Sequence, residues 1–500
     1  MPAPSHPRPR HPHPRRWAAL LFISIAQLMV FLDSAVMNIA LPSAQQALHF
    51  SDGGRQWVIT AYGLAFGGLL IVGGRLGDLL GRKRTFTIGL VGFALASALG
   101  GAAANLGTLL VARAGQGVFG ALLAPAALAL ISLTFTDAKE RAKAFGIYGA
   151  IATAGGVLGL LLGGVLTEYL NWRWSMFVNI PFAVIGIIGA LTVVHDVPSA
   201  EKRSRIDVPG AVLATLGLVA LVFGFSEAES RGWGSGLTVT MLLAGVVLLL
   251  AFLITQSRIT SPLLPLHVLT GRNRAGAYLS VAFGVMSMFG MFLFLSYYLQ
   301  LVKGYSPIAA GLAFVPLGVA QGFGSMVLGT RLSARMRPGL LMTAGYLVSA
   351  VGVLLLALLD ADSSYALLAV AEIITGLGIG TAFMPAMSLG THGVAPRDAG
   401  VASAMVGTSQ QVGGSIGTAL LNTIAAGSTT AYLATHGHGG HGRAATDAAL
   451  VHGFSTAFWW ATGFLLLAAL FSLVAVNAPR PGHSATPATA EAPGTPAPVH

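Results

Sequence analysis

Three ionisable residues stand inside long apolar runs of the chain: Asp33, Arg113 and Glu372. A charge at the centre of a bilayer costs roughly 2.5–3.5 kcal/mol on insertion scales, so such residues mark proton or ligand paths or pair with one another. A carboxyl group's proton affinity falls beside an opposite charge and rises on burial, and a site holding both influences changes its protonation when it opens or closes. Asp33 and Arg113 are therefore candidates for an ion or substrate path and for a mutual pair, provided their segments face a common cavity. Glu372 is a second carboxylate, open to a proton or to the cationic group of a substrate. The competing reading of Asp33 and Arg113 is a static pair that only fixes helix packing.

The neighbours of these residues extend the site. Arg113, Gln116, Gly117 and Gly120 are spaced i, i+3, i+4 and i+7, which puts them on one helix face, polar at one end and small along its length. Such a face suits a cavity wall or a tight helix contact. Met37 and Asn38 follow Asp33 on its own segment, and Met288 and Phe292 belong to a Met- and aromatic-rich run that also holds Met286, Phe289, Met291, Phe294, Tyr297 and Tyr298. Methionine is adaptable and polarisable, so such a run can line a permissive hydrophobic pocket, although residues spread all round a helix must in part face lipid. With no cysteine, disulfides and thiol chemistry are excluded, and neither a GxxxxGK[ST] phosphate loop nor an HExxH zinc motif occurs. The reading is of a protein that is no enzyme and holds no cofactor or metal. His436, His438 and His441 could hold a metal weakly, but a Gly-rich loop between spans is the preferred reading.

The elements that position these residues are membrane spans. Of 500 residues, 54% are hydrophobic and 9% charged, against roughly 25% charged in soluble proteins. Each helical span needs about 20 mostly apolar residues. Fourteen such segments are expected near 17–40, 56–74, 85–104, 107–130, 144–168, 176–194, 208–226, 236–256, 276–299, 306–328, 339–359, 365–386, 400–425 and 454–476. The fold class is an all-α polytopic membrane protein, and its 65 glycines suit close helix contacts in lipid. With the N-terminus inside, 22 of the 28 Lys and Arg residues fall in inside segments and five in outside loops. That asymmetry places both termini in the cytoplasm. The formal charge of +11 then reads as topology signal and contact with anionic membrane lipids, not as a nucleic-acid surface. Residues 1–16 and 477–500 are too polar and Pro-rich to form a core and are expected to be disordered tails.

A faint repeat relates Gly73–Asp78 to Gly329–Ala334, 256 residues apart, both at inside ends of spans. It divides the chain into an N-terminal six-helix half, 17–194, an insertion of two helices and flanking loops, 195–275, and a C-terminal six-helix half, 276–476. Repeated halves are a common transporter device.

Several motifs add a family resemblance. Gly74-Arg75-Leu76-Gly77-Asp78-Leu79-Leu80-Gly81-Arg82-Lys83 resembles the GxLaDrxGrk signature of the major facilitator superfamily, and Arg113 with Gln116 and Gly117 resembles its RxxqG motif. Leu32-Asp33 through Leu41-Pro42 resembles the LDxTVVNVALP segment of its drug:proton antiporters. Trp172-Arg173-Trp174 through Asn179 and Pro181, and Tyr298 through Pro307, resemble the fourteen-span branch. The antiporter signature GPxxGG reads Gly159-Leu160-Leu161-Leu162-Gly163-Gly164, with Leu160 in place of the proline and so without a proline kink. An arginine common before the glutamine of span 13 is Gln410 here.

The resemblance implies a six-plus-two-plus-six fold in the cell membrane and alternating access. It also implies proton-driven export of small hydrophobic or cationic compounds by a monomer, with proton coupling at Asp33, Arg113 as its counter-charge, and gating by Gly74, Asp78, Gly81 and Arg82. The alternatives are a transporter for one metabolite, antibiotic or peptide and, more remotely, a membrane receptor.

Overall fold

The computed structural model describes residues 15–50, 52–194, 207–260, 262–436 and 443–478. Helices run through nearly all of them, and no strand occurs among them. We number the long helices in chain order. The first six are α1 (Arg16–Leu48), α2 (Asp52–Leu80), α3 (Arg82–Gly101), α4 (Leu106–Thr134), α5 (Ala138–Tyr169) and α6 (Trp174–Thr192, with a one-residue break at Val178). Two follow between the halves, α7 (Val208–Arg231) and α8 (Gly236–Arg258). The last six are α9 (Arg272–Val302), α10 (Ile308–Ser333), α11 (Pro338–Ala357), α12 (Tyr365–Thr391), α13 (Ala399–His436) and α14 (Arg443–Ala475).

Helices are what an apolar chain forms in lipid, because they satisfy every backbone polar group internally. Their starts are set by polar caps in the loops: Asn105 accepts from Thr108 N, Asp137 from the amides of Lys139 and Glu140, and Asp207 from Gly210 N. Among the described residues thirteen helices are long and apolar enough to cross a membrane. The expected thirteenth span lies inside α13, whose Gly, Ser, Thr and Gln content keeps it out of that set.

Two groups of six helices pack by one scheme. In the first, α1 packs on α5 and α6, α3 on α4 and α6, and α2 on α4; in the second, α9 packs on α13 and α14, α11 on α12 and α14, and α10 on α12. Glycines fix the register of both groups. A Cβ on Gly117 would stand 2.5 Å from Tyr62 O, and one on Gly376 2.5 Å from Leu317 O. The pair Gly155–Leu28 O recurs as Gly413–Ala282 O, and Gly89–Phe119 O as Gly345–Gly378 O. Residues 254–259 positions apart thus occupy equivalent places. On α10 the offset grows from 255 at Leu317 to the 256 of the sequence match at Gly329, and the π-helical turn Gly324–Gly329 supplies the extra residue. Across the two groups α13 lies on α2 and α4, and α5 on α10 and α12. The α7–α8 pair joins the bundle through α2 and α13.

The structure corrects one expectation. The stretch between the expected spans 400–425 and 454–476 is helical where it is described: α13 continues to His436 and α14 begins at Arg443, with Tyr432 and His452 in ring contact between them. Thr430 and Thr435 return their hydroxyls to carbonyls of their own helix, so polar residues at this end are absorbed without ending it. His438 and His441 lie outside the described residues.

The matched glycine contacts predict matched effects. Gly117→Val and Gly376→Val should each destabilise the protein by about 1–3 kcal/mol, the usual cost of overpacking, seen as a lower thermal midpoint in detergent. At Gly77, where an added Cβ meets nothing within 4 Å, Gly77→Ala should be nearly silent.

Candidate functional site

Asp33 lies midway along α1 and is wholly buried, as are Ser97 of α3, Gln116 of α4 and Asn179 of α6. Arg113 of α4 is 2% exposed and sends Nη1 to Asp33 Oδ2 at 2.6 Å and to Gln116 Oε1 at 2.8 Å. Asp33 Oδ1 accepts from Gln116 Nε2 at 2.8 Å and from Asn179 Nδ2 at 2.7 Å. The same two amides also donate to Ser97 Oγ, at 2.8 and 3.3 Å. Arg113 Nε reaches Val58 O of α2 at 3.3 Å, and its guanidinium lies 4.7 Å from the centre of the Tyr62 ring, a cation–π contact. Helices α1, α2, α3, α4 and α6 thus meet at one carboxylate. Breaking such a buried pair by removing one partner costs about 3–5 kcal/mol, because the other charge is left uncompensated.

Asp33 and Arg113, expected to pair only if their segments faced each other, come together, and Gln116 joins them. Gly117 and Gly120 do not line a cavity: they seat α4 against α2, with Gly120 facing the Phe66 ring. Sequence reasoning did not single out Ser97, Asn179 or Tyr62. Asn179 stands in the quoted Trp172–Pro181 stretch, and its amide in an apolar helix was the available signal.

Glu372 belongs to a separate place. It is wholly buried on α12, and neither carboxylate oxygen has a hydrogen-bond partner; the backbone amide of Leu317 on α10 approaches without closing a bond.

A third cluster closes one end of the bundle, where α2 turns into α3. Gly81 makes that turn at φ 97°, a conformation that favours glycine. Asp78 Oδ1 accepts from Arg82 at 2.7 Å and from Gly400 N at 3.0 Å, and its Oδ2 from Val401 N at 3.3 Å. The carboxylate therefore caps the N-terminus of α13 in the other six-helix group, where the helix dipole favours negative charge. Gly74 and Gly400 make the approach possible: a Cβ on Gly74 would lie 2.5 Å from Gly400 O. At the same end Arg141 of α5 meets His392 Nδ1 at 2.9 Å and Ser132 Oγ donates to Thr391 at 3.1 Å. Burial, with Arg141 and Arg274 nearby, pushes the His392 imidazole below its usual pKa and keeps it in the neutral form that accepts from Arg141.

The other expected residues scatter. Met37 is buried between α1, α4 and α6 with Leu41, Leu109, Trp172 and Met176, while Asn38 is exposed. Phe292 is half-buried against Phe314 at 5.2 Å and Met288 is half-buried on the same helix. Gly159 and Gly163 seat α5 on Leu32, Ala35 and Val36 of α1, and Gly164 faces Ile308 of α10. Helix α5 runs through this motif without interruption. A cavity of about 190 Å³ opens between α2, α7, α9 and α13, lined in part by Thr60, Ser226, Phe289, Gln410 and Gln411.

The residues from 23 to 418 match the Major Facilitator Superfamily. The chain is 50% identical over 466 residues to the puromycin resistance protein pur8 of Streptomyces alboniger, covering 93% of this chain and 92% of that one. It is 37% identical over 429 residues to the cephamycin export protein CmcT of Amycolatopsis lactamdurans, covering 84% and 87%. Its fold is that of the human organic anion transporter MFSD10, with a TM-score of 0.65 at 14% identity, covering 92% of this chain and all of that one. With that match, its export and resistance relatives and a bundle of apolar helices, the chain belongs to the Major Facilitator Superfamily and is a multi-pass transporter of the cell membrane, not an enzyme.

Proposed function

We propose that the protein is a proton-coupled exporter of hydrophobic or cationic drug-like compounds, working by alternating access. The observation that carries this reading is the wholly buried Asp33 carboxylate, held by Arg113, Gln116 and Asn179 where it can exchange a proton only when α1, α4 and α6 part. Protonating Asp33 removes the charge that holds Arg113, so proton binding and helix separation are one event. The driving force includes about 2.3 kcal/mol per charge per 100 mV of membrane potential; no cofactor takes part. The six-plus-two-plus-six plan accounts for the two matched groups. In it α13, which lies on α2, α4 and α9, is the thirteenth of fourteen spans, and both termini are cytoplasmic, which makes the Asp78 end the inside gate. The protein works as a monomer among membrane lipids.

A second reading has its own support. The relatives' names each mention one antibiotic, puromycin or cephamycin, which favours export of a single such compound. Growth of a susceptible host expressing the protein, tested against structurally unrelated antibiotics, separates the two: protection against several supports the broad exporter, and protection against one supports the narrow exporter.

Asp33→Asn should abolish transport driven by a pH gradient in proteoliposomes while the protein still reaches the membrane; undiminished transport would remove Asp33 from coupling. Arg113→Ala should lower stability by about 3–5 kcal/mol as well as transport. Arg113→Lys should restore only part of both, since an ammonium lacks the fork that meets Asp33, Gln116 and Val58 together. Asp78→Asn should open the inside gate more often and slow turnover with little change in substrate affinity. Labelling of a cysteine placed at the gate, in a chain with none of its own, reports the shift; unchanged labelling with normal turnover would make Asp78 an ordinary loop charge.

A further inference from the structure

The glycine seams put the two six-helix groups in register residue by residue, and that register reaches the buried charges. Arg113 stands four residues before Gly117, and Glu372 four before its counterpart Gly376. Asp33 stands five residues after Leu28, and Ser287 five after its counterpart Ala282. Thr375 likewise answers Gln116. Asp33, Arg113 and Gln116 thus each have an equivalent in the second half, with different chemistry. The carboxylate's place holds a hydroxyl, and the guanidinium's place holds a carboxylate.

The second place is not satisfied as the first is. Neither oxygen of Glu372 has a hydrogen-bond partner, nor does the Ser287 hydroxyl, which is 1% exposed. The Thr375 hydroxyl is spent on Ala371 O at 2.8 Å. From α5, α9, α10, α11 and α13, all packed against α12, no Lys, Arg, Asp or Glu side chain acts on Glu372 among the described residues, and the titratable group within its field is Tyr365 of its own helix, whose hydroxyl is engaged with Ala313 O. An ionised carboxylate here would have exchanged its water for no more than the approach of the Leu317 amide, whereas a neutral carboxylic acid tolerates the place. The partner that a wholly buried, unpaired carboxylate calls for is a proton.

We propose that Glu372 is a second proton-carrying site, protonated while α10 lies on α12 and released when α10 moves away. Helix α10 is built for such a movement. It is interrupted at Phe314, three residues before Leu317, and contains the π-helical turn Gly324–Gly329, a feature common at functional sites. The proposal extends proton-coupled export, on which its transport consequence rests; the protonation itself does not depend on that reading.

Infrared spectroscopy of the purified protein in lipid at neutral pH tests it. The carbonyl stretch of a buried neutral carboxylic acid should be present in the wild type and in Asp33→Asn, lost in Glu372→Gln and restored at a shifted frequency in Glu372→Asp. Absence of the band from the wild type, or its survival in Glu372→Gln, overturns the proposal. In proteoliposomes, Glu372→Gln should lower the number of protons moved per substrate by one; an unchanged ratio overturns the carrying role. Loss of the wild-type band on adding tetraphenylphosphonium would also overturn it, by making the site one for organic cations. A wild type that moves no protons but keeps the band would sink the proton-coupled exporter and leave Glu372 protonated, so the two failures are distinguishable.

Discussion

A carboxylate and a guanidinium held away from water must find in each other, and in nearby amides, everything that water supplied. The first half of this protein is arranged around that requirement. Asp33 takes hydrogen bonds from three side chains on two other helices, and Arg113 spends its donors on Asp33, Gln116 and a carbonyl of α2. Because the donors come from α4 and α6 and the supporting groups from α2 and α3, the angles and registers of five helices are set together. The helices have no hydrophobic drive toward one another in lipid. A satisfied polar centre supplies direction that apolar packing alone lacks, and also makes the arrangement sensitive to a single proton.

Close packing does the remaining work. Gly117 against Tyr62 and Gly155 against Leu28 bring backbones closer than a Cβ permits, Gly89 against Phe119 is nearly as tight, and each contact recurs in the second half. Two copies of one packing plan therefore carry two different polar centres. The first is internally neutral because opposite charges meet; the second is neutral only with a proton on Glu372.

The Asp78 end joins the halves by a different device. A carboxylate from α2 caps α13, and both Gly74 and Gly400 are needed for the approach. Helix N-termini attract negative charge, so the contact is directional, yet its strength rests on a few hydrogen bonds that a rocking motion can exchange. His392, kept neutral between Arg141 and Arg274, belongs to the same closure.

The sequence by itself determined the all-helical, apolar character of the chain, the charges set within its apolar runs and the motifs, since hydropathy and short signatures are local properties of neighbouring residues. It offered Asp33 and Arg113 as a pair only on condition that their segments face each other, and the structure met that condition. Tertiary structure alone decided what no local pattern holds. Asn179 reaches Asp33 across 146 positions of chain, and Asp78 reaches Gly400 across 322. Gly117 turned out to seat a helix rather than line a cavity, Met37 to be core, and Glu372 to have no partner. The face a helical residue presents, and what lies opposite it, follows from how separate helices rotate and slide against one another. That is settled by the sum of many small packing contacts and a few buried hydrogen bonds between distant segments, which a linear pattern does not carry.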